Sequence, residues 1–473
     1  MMAALLSAVA LVASVDAVQD AATAARLPLA PPRAVDAVEL AAALGAAAGV
    51  RGDARGGRVG VTRAETADGA REFWVAAPLD GGGRRVHGAT VGGMVWASGG
   101  YALVESALLA AVLAEVDSPV VVDVGAHCGY FSLLAATGGA RVVALEPNAE
   151  HHPLLRLGAA LNGVGDDTIA LFGAPAADVA EVAYDGWSTD DAGRPGFNAS
   201  ASAPRRAVRC DDAVEAAEAG WGAPVRPIAW LKVDVEGQEL AALRSAARLF
   251  DRPPGLRPRV VWVELSWLDG DAASLGAAAA TVAFLLRRGY DVRAAREGGI
   301  AWDCAESSRD CDDPPRDAGG AGWLDVVDIE RGYEAEGARR LLEAAGYCDR
   351  REASIARGGC QLEVAAVAVE FTAAFSDAVV PRAAAAMNAR QARAAGGEAA
   401  DFSMYVAVGD EAHQVLFSAA ATDDEIRDFF HADVCAAGAR AVSRELCDAS
   451  CDATLAELRE KRARRRRRAA EAS

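Results

Sequence analysis

The sequence predicts a doubly wound α/β fold, a parallel sheet with helices on both faces, flanked by an N-terminal β-cap and a C-terminal α+β extension. Three observations predict it. Apolar runs rich in β-branched residues recur at Val120–Val124, Arg141–Leu145, Thr168–Phe172, Ile228–Val235 and Val260–Leu265. Segments with helical spacing separate most of them, and strands that are apolar throughout belong in a parallel sheet covered on both faces. Charged residues gather at the C-terminal ends of these runs, where such sheets bind ligands.

The elements follow in chain order. MMAALLSAVALVASVDA is an apolar run closed by small residues, so residues 1–17 are expected to be a signal peptide. Secretion or residence in the secretory pathway follows, with the cytoplasm as the alternative. The sequon Asn198-Ala199-Ser200 and the close pairs Cys304/Cys311, Cys348/Cys360 and Cys447/Cys451 fit an oxidising compartment. Nine cysteines leave at least one thiol free, and Cys128 is the candidate. Residues 18–97 read as a linker with one short helix, then a small β-cap built from VGV, EFWVAA and VGGMVWA. The main domain, 98–304, opens with a helix over Tyr101–Val116. Further helices are expected over Tyr130–Ala136, Ala149–Leu161, Glu239–Phe250 and Leu275–Arg288. Tyr290–Ala294 and Ile300–Trp302 supply terminal strands, and 185–204 a long polar loop. Residues 305–473 read as a second α+β unit. It has a helix over Glu334–Ala345, a hairpin of Met404–Val408 with Gln414–Ser418, and a capping box at Thr422–Glu425 that starts a helix. Thr454–Ala472 is a helix running into an arginine tail.

Composition narrows the function. The chain has 473 residues, a net charge of −19 and 6% aromatics. No stretch of about 20 apolar residues lacks charge, which excludes a multi-span membrane protein. The acidity argues against a nucleic-acid partner, and the basic run KRARRRRR, Lys461–Arg468, reads as a solvated tail. Lysine occurs only at Lys232 and Lys461 against 46 arginines (48 − 2), which marks Lys232 as a position where a compact ammonium is wanted.

The segment VVVDVGAHCGYFS places Asp123 at the end of a buried strand, with Gly125 and Gly129 following as D-x-G-x-x-x-G. The glycines let the backbone turn sharply against a ligand. An acid at this place suits an amino group and a sulfonium, and would repel the pyrophosphate of a dinucleotide. Glu146 ends the next strand, in VVALEPN, where an acid accepts hydrogen bonds from ribose hydroxyls. In AWLKVDVEGQE, alternation puts Lys232, Asp234 and Glu236 on one side of an extended chain, and Glu264 ends the fifth strand at the same rim. Lys232 is placed to pair with Asp234 or Glu236; a structural ion pair beneath the site is the alternative. No His, Cys or carboxylate cluster shows metal-ligand spacing along the sequence, so no obligatory metal is expected.

VVVDVGAHCGYFSLLAA, VVALEPN, WLKVDVEGQELAAL and RPRVVWVEL, in that order, resemble the FkbM family of S-adenosylmethionine-dependent methyltransferases over roughly residues 100–295. The resemblance implies a Rossmann-like class I methyltransferase fold, S-adenosyl-L-methionine as cofactor, and O-methylation of a hydroxyl on a glycan or secondary metabolite. It implies that Asp123, Gly125, Ala126 and Gly129 surround the methionine part of the cofactor and that Glu146 holds its ribose. It also implies that Asn162 supports the cofactor region, although a helix cap serves equally for that asparagine. His127 is expected to be packed or solvated, and His151 and His152 to be solvated.

A hydroxyl acceptor gains from a general base. The candidates are Asp234 and then Glu264, positioned by Glu236 and Lys232. The alternative from another class is a secreted binding protein that keeps this fold without turnover. A nicotinamide-dependent oxidoreductase fails on the glycine spacing, and a serine hydrolase on the lack of a G-x-S-x-G elbow.

Overall fold

The computed structural model describes residues 26–27, 58–79, 86–88, 91, 95, 99–149, 151–183, 204–267, 272–297, 324–329, 360–395, 402–408, 411–417, 422–429, 431 and 443–472. The expected signal peptide, the sequon, the Ile300–Trp302 strand, the Glu334–Ala345 helix, Cys304, Cys311, Cys348 and Cys435 lie outside the described residues.

The strands are β1 (Arg26–Leu27), β2 (Arg58–Glu65), β3 (Glu72–Leu79), β4 (Val86–Gly88), β5 (Val120–Val124), β6 (Arg141–Leu145), β7 (Ile169–Phe172), β8 (Glu181–Ala183), β9 (Pro204–Arg206), β10 (Ile228–Val233), β11 (Val260–Trp267), β12 (Tyr290–Glu297), β13 (Leu324–Ile329), β14 (Cys360–Ala368), β15 (Phe402–Val408) and β16 (Glu411–Phe417). The α-helices of four or more residues are α1 (Leu103–Ala114), α2 (Tyr130–Thr137), α3 (His151–Leu161), α4 (Cys210–Trp221), α5 (Glu239–Ser245), α6 (Ala247–Phe250), α7 (Ala272–Arg287), α8 (Val380–Ala395), α9 (Asp423–Phe429) and α10 (Arg444–Ala472).

Nine strands make one sheet in the order β1-β7-β6-β5-β10-β11-β14-β12-β13. Strands β7, β6, β5, β10 and β11 are parallel neighbours. Strand β14 runs antiparallel to both β11 and β12, so β12 points the same way as the parallel set. The order reverses beside β5, and this is where a doubly wound sheet opens a ligand crevice at its C-terminal edge. The central strands β5 and β10 are buried at every residue, which is why they read as apolar runs broken only by Asp123 and Lys232. Trp230 on β10 stacks on Trp262 of β11 with ring centroids 5.6 Å apart, filling the layer between sheet and helices.

Several expectations are corrected. The boundary at 304/305 does not divide the sheet, because β14, from the C-terminal third, pairs along its length with β11 and also with β12. The C-terminal extension therefore completes the central sheet. The β-cap is likewise not self-contained: β2 and β3 form a hairpin, but β4 pairs with β16 in a second small sheet with β15. In VGGMVWA, Val91 and Val95 are helical, and the linker contributes β1, an antiparallel edge strand on β7. The Glu239–Phe250 helix breaks at Ala246 into α5 and α6. Cys447 is disulfide-bonded whereas Cys451 is free, so the Cys447/Cys451 loop does not form. Cys128 is a free thiol, as expected, and so is Cys210. The capping box forms as read: Thr422 N–H donates to Glu425 at 2.8 Å, and Glu425 N–H donates back to the Thr422 hydroxyl at 3.3 Å.

Because β14 is the shared neighbour of β11 and β12, a chain ended at residue 304 should lack a cooperative thermal unfolding transition followed by circular dichroism. A truncated chain that unfolds as sharply as the full one would contradict this strand order.

Candidate active site

The crevice is built around the turn that leaves β5. Gly125 has φ +86°, and a Cβ there would sit 1.7 Å from the Asp234 carbonyl oxygen. A glycine is required so that the turn can abut the tip of β10. The Gly125 and Ala126 amides both donate to the Leu145 carbonyl, at 2.9 and 3.1 Å, which ties the turn to the tip of β6. At Gly129 a Cβ would meet Leu155 Cγ at 2.6 Å, so this glycine lets α2 pack against α3.

Asp123 and Glu146 brace this turn from beneath. Asp123 has 0% exposure, and it accepts a 2.6 Å hydrogen bond from the Ser132 hydroxyl on α2. Its other oxygen, Oδ1, has no hydrogen-bond donor among the described residues. Burial raises its pKa, against the pull of Lys232 and Ser132. Glu146 accepts the His127 and Asn148 amides at 2.7 Å each, and His151 Nδ1 lies 3.4 Å from it. Burial would raise the Glu146 pKa, but the hydrogen bond and charge of His151 and the two amides hold it below the ordinary value. Both acids are buried, Asp123 bonded to Ser132 of α2 and Glu146 to amides of the turn and of its own segment. A carboxylate has about four acceptor positions, so Glu146 retains capacity beyond its two amides.

The accessible acids lie one layer outward. Parallel register pairs Asp123 with Lys232 and Lys232 with Trp262, and β14 brings Glu363 opposite Glu264. Residues in register share a face, so four neighbouring strands present charge to the same side. Lys232 Nζ donates to Asp234 Oδ2 at 2.6 Å and lies 5.0 Å from the Phe131 ring centroid. Burial would depress its pKa, but Asp234, Glu105 and Asp123 outweigh that and hold the ammonium above its ordinary value. Glu264 is pushed well up by burial and by the neighbouring Asp234 and Glu363 charges, with Lys232 opposing. Glu236 follows the end of β10, at φ +51°. A turn, not strand alternation, therefore brings it within 4.8 Å of ligand atoms on both Asp234 and Glu264.

Sequence reasoning missed two contributors. Glu105 on α1 is buried and interacts electrostatically with Lys232, Asp234, Asp123 and Glu264. A lone acid in the apolar run LVESALLAAVLA was its signal. Glu363, a charge in an otherwise apolar strand, had the same signal.

Asn162 is not in the crevice. Its side chain accepts from Trp74 N–H at 2.9 Å and donates to the Trp74 and Gly158 carbonyls at 2.8 Å each, stitching the end of α3 to β3. Helix α3 starts at the C-terminal edge of the sheet and runs away from it, so its end is remote from the ligand side. His151 and His152 are buried rather than solvated, because His151 packs on the His127 ring at 3.9 Å and His152 Nε2 bonds the Glu146 carbonyl at 2.7 Å.

Residues 123–292 match the family model of the methyltransferase FkbM domain. The chain carries an FkbM methyltransferase domain. The match ends within β12, so β14 completes the methyltransferase sheet from beyond it. No curated protein matches the chain. A solved precorrin-6y C5,15-methyltransferase from Geobacter metallireducens GS-15 is similar at 12% identity over 56% of this chain and 88% of that one, with a TM-score of 0.24, too slight a likeness to bear on function.

Two outcomes follow for the methyltransferase domain. Asn162→Ala should cost about 1–3 kcal/mol of stability in denaturant unfolding, as buried backbone groups lose partners, and leave ligand binding unchanged. Glu239 is pushed up to about 8 by burial, against hydrogen bonds from the Gly237 and Glu239 amides. Its folded carboxyl then holds a proton that the unfolded chain releases near 4.5, so its contribution is complete below that value and is lost as the pH rises through about 8. Thermal unfolding of Glu239→Gln at pH 5 and pH 8 should show a smaller fall in Tm than wild type.

Proposed function

We propose that this methyltransferase uses S-adenosyl-L-methionine to methylate a hydroxyl on a glycan or secondary metabolite. The observation that carries the reading is the convergence of Asp123, Glu146, Asp234, Glu236 and Glu264 around the Gly125–Gly129 turn at one edge of the sheet. The donor set fits that cofactor. Asp123 Oδ1 is buried without a donor among the described residues, Glu146 keeps free acceptor capacity, and the surrounding charge is negative. Such a site suits a ligand bearing an ammonium, a sulfonium and ribose hydroxyls.

S-adenosyl-L-methionine supplies a methyl group on a positively charged sulfur, already a good leaving group. The protein's part is then orientation and proton removal. Gly125 and Ala126 shape the turn, Glu146 fixes it, and Lys232 orients Asp234 through the 2.6 Å bond. Asp234 and Glu264 stand side by side to take the acceptor's proton as its oxygen forms the new bond to carbon.

Incubation with labelled cofactor and a panel of hydroxyl acceptors tests this. Asp234→Asn and Glu264→Gln should each lower kcat by about 100-fold or more while cofactor affinity stays within about threefold. Asp123→Ala and Glu146→Ala should weaken cofactor binding instead. Wild-type affinity in both of the latter variants would remove the cofactor assignment, and saturable binding without turnover on any hydroxyl would remove the catalytic one.

A further inference from the structure

We propose that Tyr101 binds the methyl acceptor, which rests on the methyl-transfer reading: its hydroxyl donates a hydrogen bond to a second oxygen of a polyhydroxylated acceptor. Tyr101 lies ahead of the matched region 123–292, at the corner that leads into α1. Its ring centroid stands 5.6 Å from that of Tyr130 and 6.0 Å from that of Phe131. Those two residues open α2 directly after the Gly125–Gly129 turn. Lys232 Nζ lies 5.0 Å from the same Phe131 centroid and bonds Asp234 at 2.6 Å. Tyr101 and the Lys232–Asp234 pair thus border one aromatic ring.

The corner holds this side chain from several directions. Gly99 has φ +73° and Ala102 φ +39°, so the chain turns through left-handed conformations on both sides of Tyr101, a strained one at the alanine. The Tyr101 N–H donates to the Tyr130 hydroxyl at 3.1 Å, and the Tyr101 carbonyl accepts from the Ser106 hydroxyl at 2.7 Å. The Glu65 N–H donates to the Gly99 carbonyl at 2.8 Å. Arg390 pairs with Glu65 at 3.1 Å, and a Cβ at Gly99 would lie 3.5 Å from Arg390 Nη2. Residues of β2, α1, α2 and α8 therefore fix one corner. The side chain it presents is partly exposed, and its hydroxyl makes no hydrogen bond among the described residues.

The phenol also interacts electrostatically with the rim. Removal from water, with the charges of Asp234, Glu264, Glu105 and Glu363, holds its pKa well above the ordinary value. It is a neutral O–H donor beside carboxylates and keeps its proton throughout the reaction. Asp234 and Glu264 take a proton, whereas Tyr101 gives a hydrogen bond. Such a rim suits an acceptor that carries the reacting hydroxyl and a further oxygen, as a sugar ring does, over a lone alcohol. This recognition is supplied from outside the matched family region, by the corner before α1 and the elements that brace it.

Steady-state methyl transfer by the full chain to methyl glycosides of hexoses, and to their single-deoxy analogues, tests the assignment with labelled S-adenosyl-L-methionine. Tyr101→Phe should raise the acceptor KM about threefold to tenfold, the worth of one neutral hydrogen bond. It should leave kcat and cofactor affinity within about twofold, because the bond is made equally in ground and transition states. Its Tm should match wild type, since the lost hydroxyl bonds no described residue. Wild type should discriminate against one deoxy analogue by the same factor, and Tyr101→Phe should not, since each change removes the same bond. An unchanged KM in Tyr101→Phe, a lowered Tm with kcat falling alongside, or full discrimination retained by the variant would overturn the proposal. Cofactor binding by wild type without methylation of any glycoside would overturn it too. Failure of wild type to bind the cofactor defeats the methyl-transfer reading itself, whereas turnover with an unaltered Tyr101→Phe defeats the Tyr101 assignment alone.

Discussion

A single buried ammonium organises the crevice. Lys232 sits in β10 between Asp123 on β5 and Trp262 on β11, bonded to Asp234 and within electrostatic reach of Glu105 on α1. Burying that many carboxylates without a counter-charge would be prohibitive, and burying the ammonium without them equally so. Breaking such a group by removing one partner typically costs about 3–5 kcal/mol, because the remaining charge stays in a low-dielectric place. The Phe131 ring adds its negative face to the same cation. Function and folding are therefore joined at one residue. The charge that bonds Asp234 also interacts electrostatically with Asp123 on β5 and Glu105 on α1.

The second constraint is the contact between the β5 turn and the tip of β10. Only a glycine lets the chain pass against the Asp234 carbonyl at position 125, and the resulting turn is pinned to β6 through Leu145 and Glu146. Three parallel strands are thus locked at their C-terminal ends by backbone and side-chain hydrogen bonds. The acids that motif reasoning assigns to the ligand, Asp123 and Glu146, spend part of their bonding capacity on this scaffold. The outer carboxylates stand beside this turn, just past the end of β10 and on β11.

The central sheet is also assembled from distant parts of the chain. Strand β14 enters between β11 and β12 after more than 60 intervening residues (360 − 297 = 63 positions from the end of β12). It brings Glu363 opposite Glu264, so the C-terminal third reaches the charge group itself.

The sequence by itself determined the parallel strands, the helices between them, the glycine turn and the acids at the strand ends. Each of these is written in local chemistry: unbroken apolar runs, glycine spacing, and a charge where apolar strand ends. Lys232 was legible for the same reason, as one of only two lysines in the chain. Tertiary structure alone decided the rest. The place of β14 depends on pairing across a long insertion, which no local periodicity encodes. Asn162 is held by backbone groups of β3, 88 residues earlier, Asp123 is bonded by the Ser132 hydroxyl of α2, and Glu146 by the His127 amide of the turn. The Asp234, Glu236 and Glu264 group arises from a positive-φ turn and a neighbouring strand. Proximity of that kind is a property of packing, because residues far apart in sequence meet only after the chain has closed.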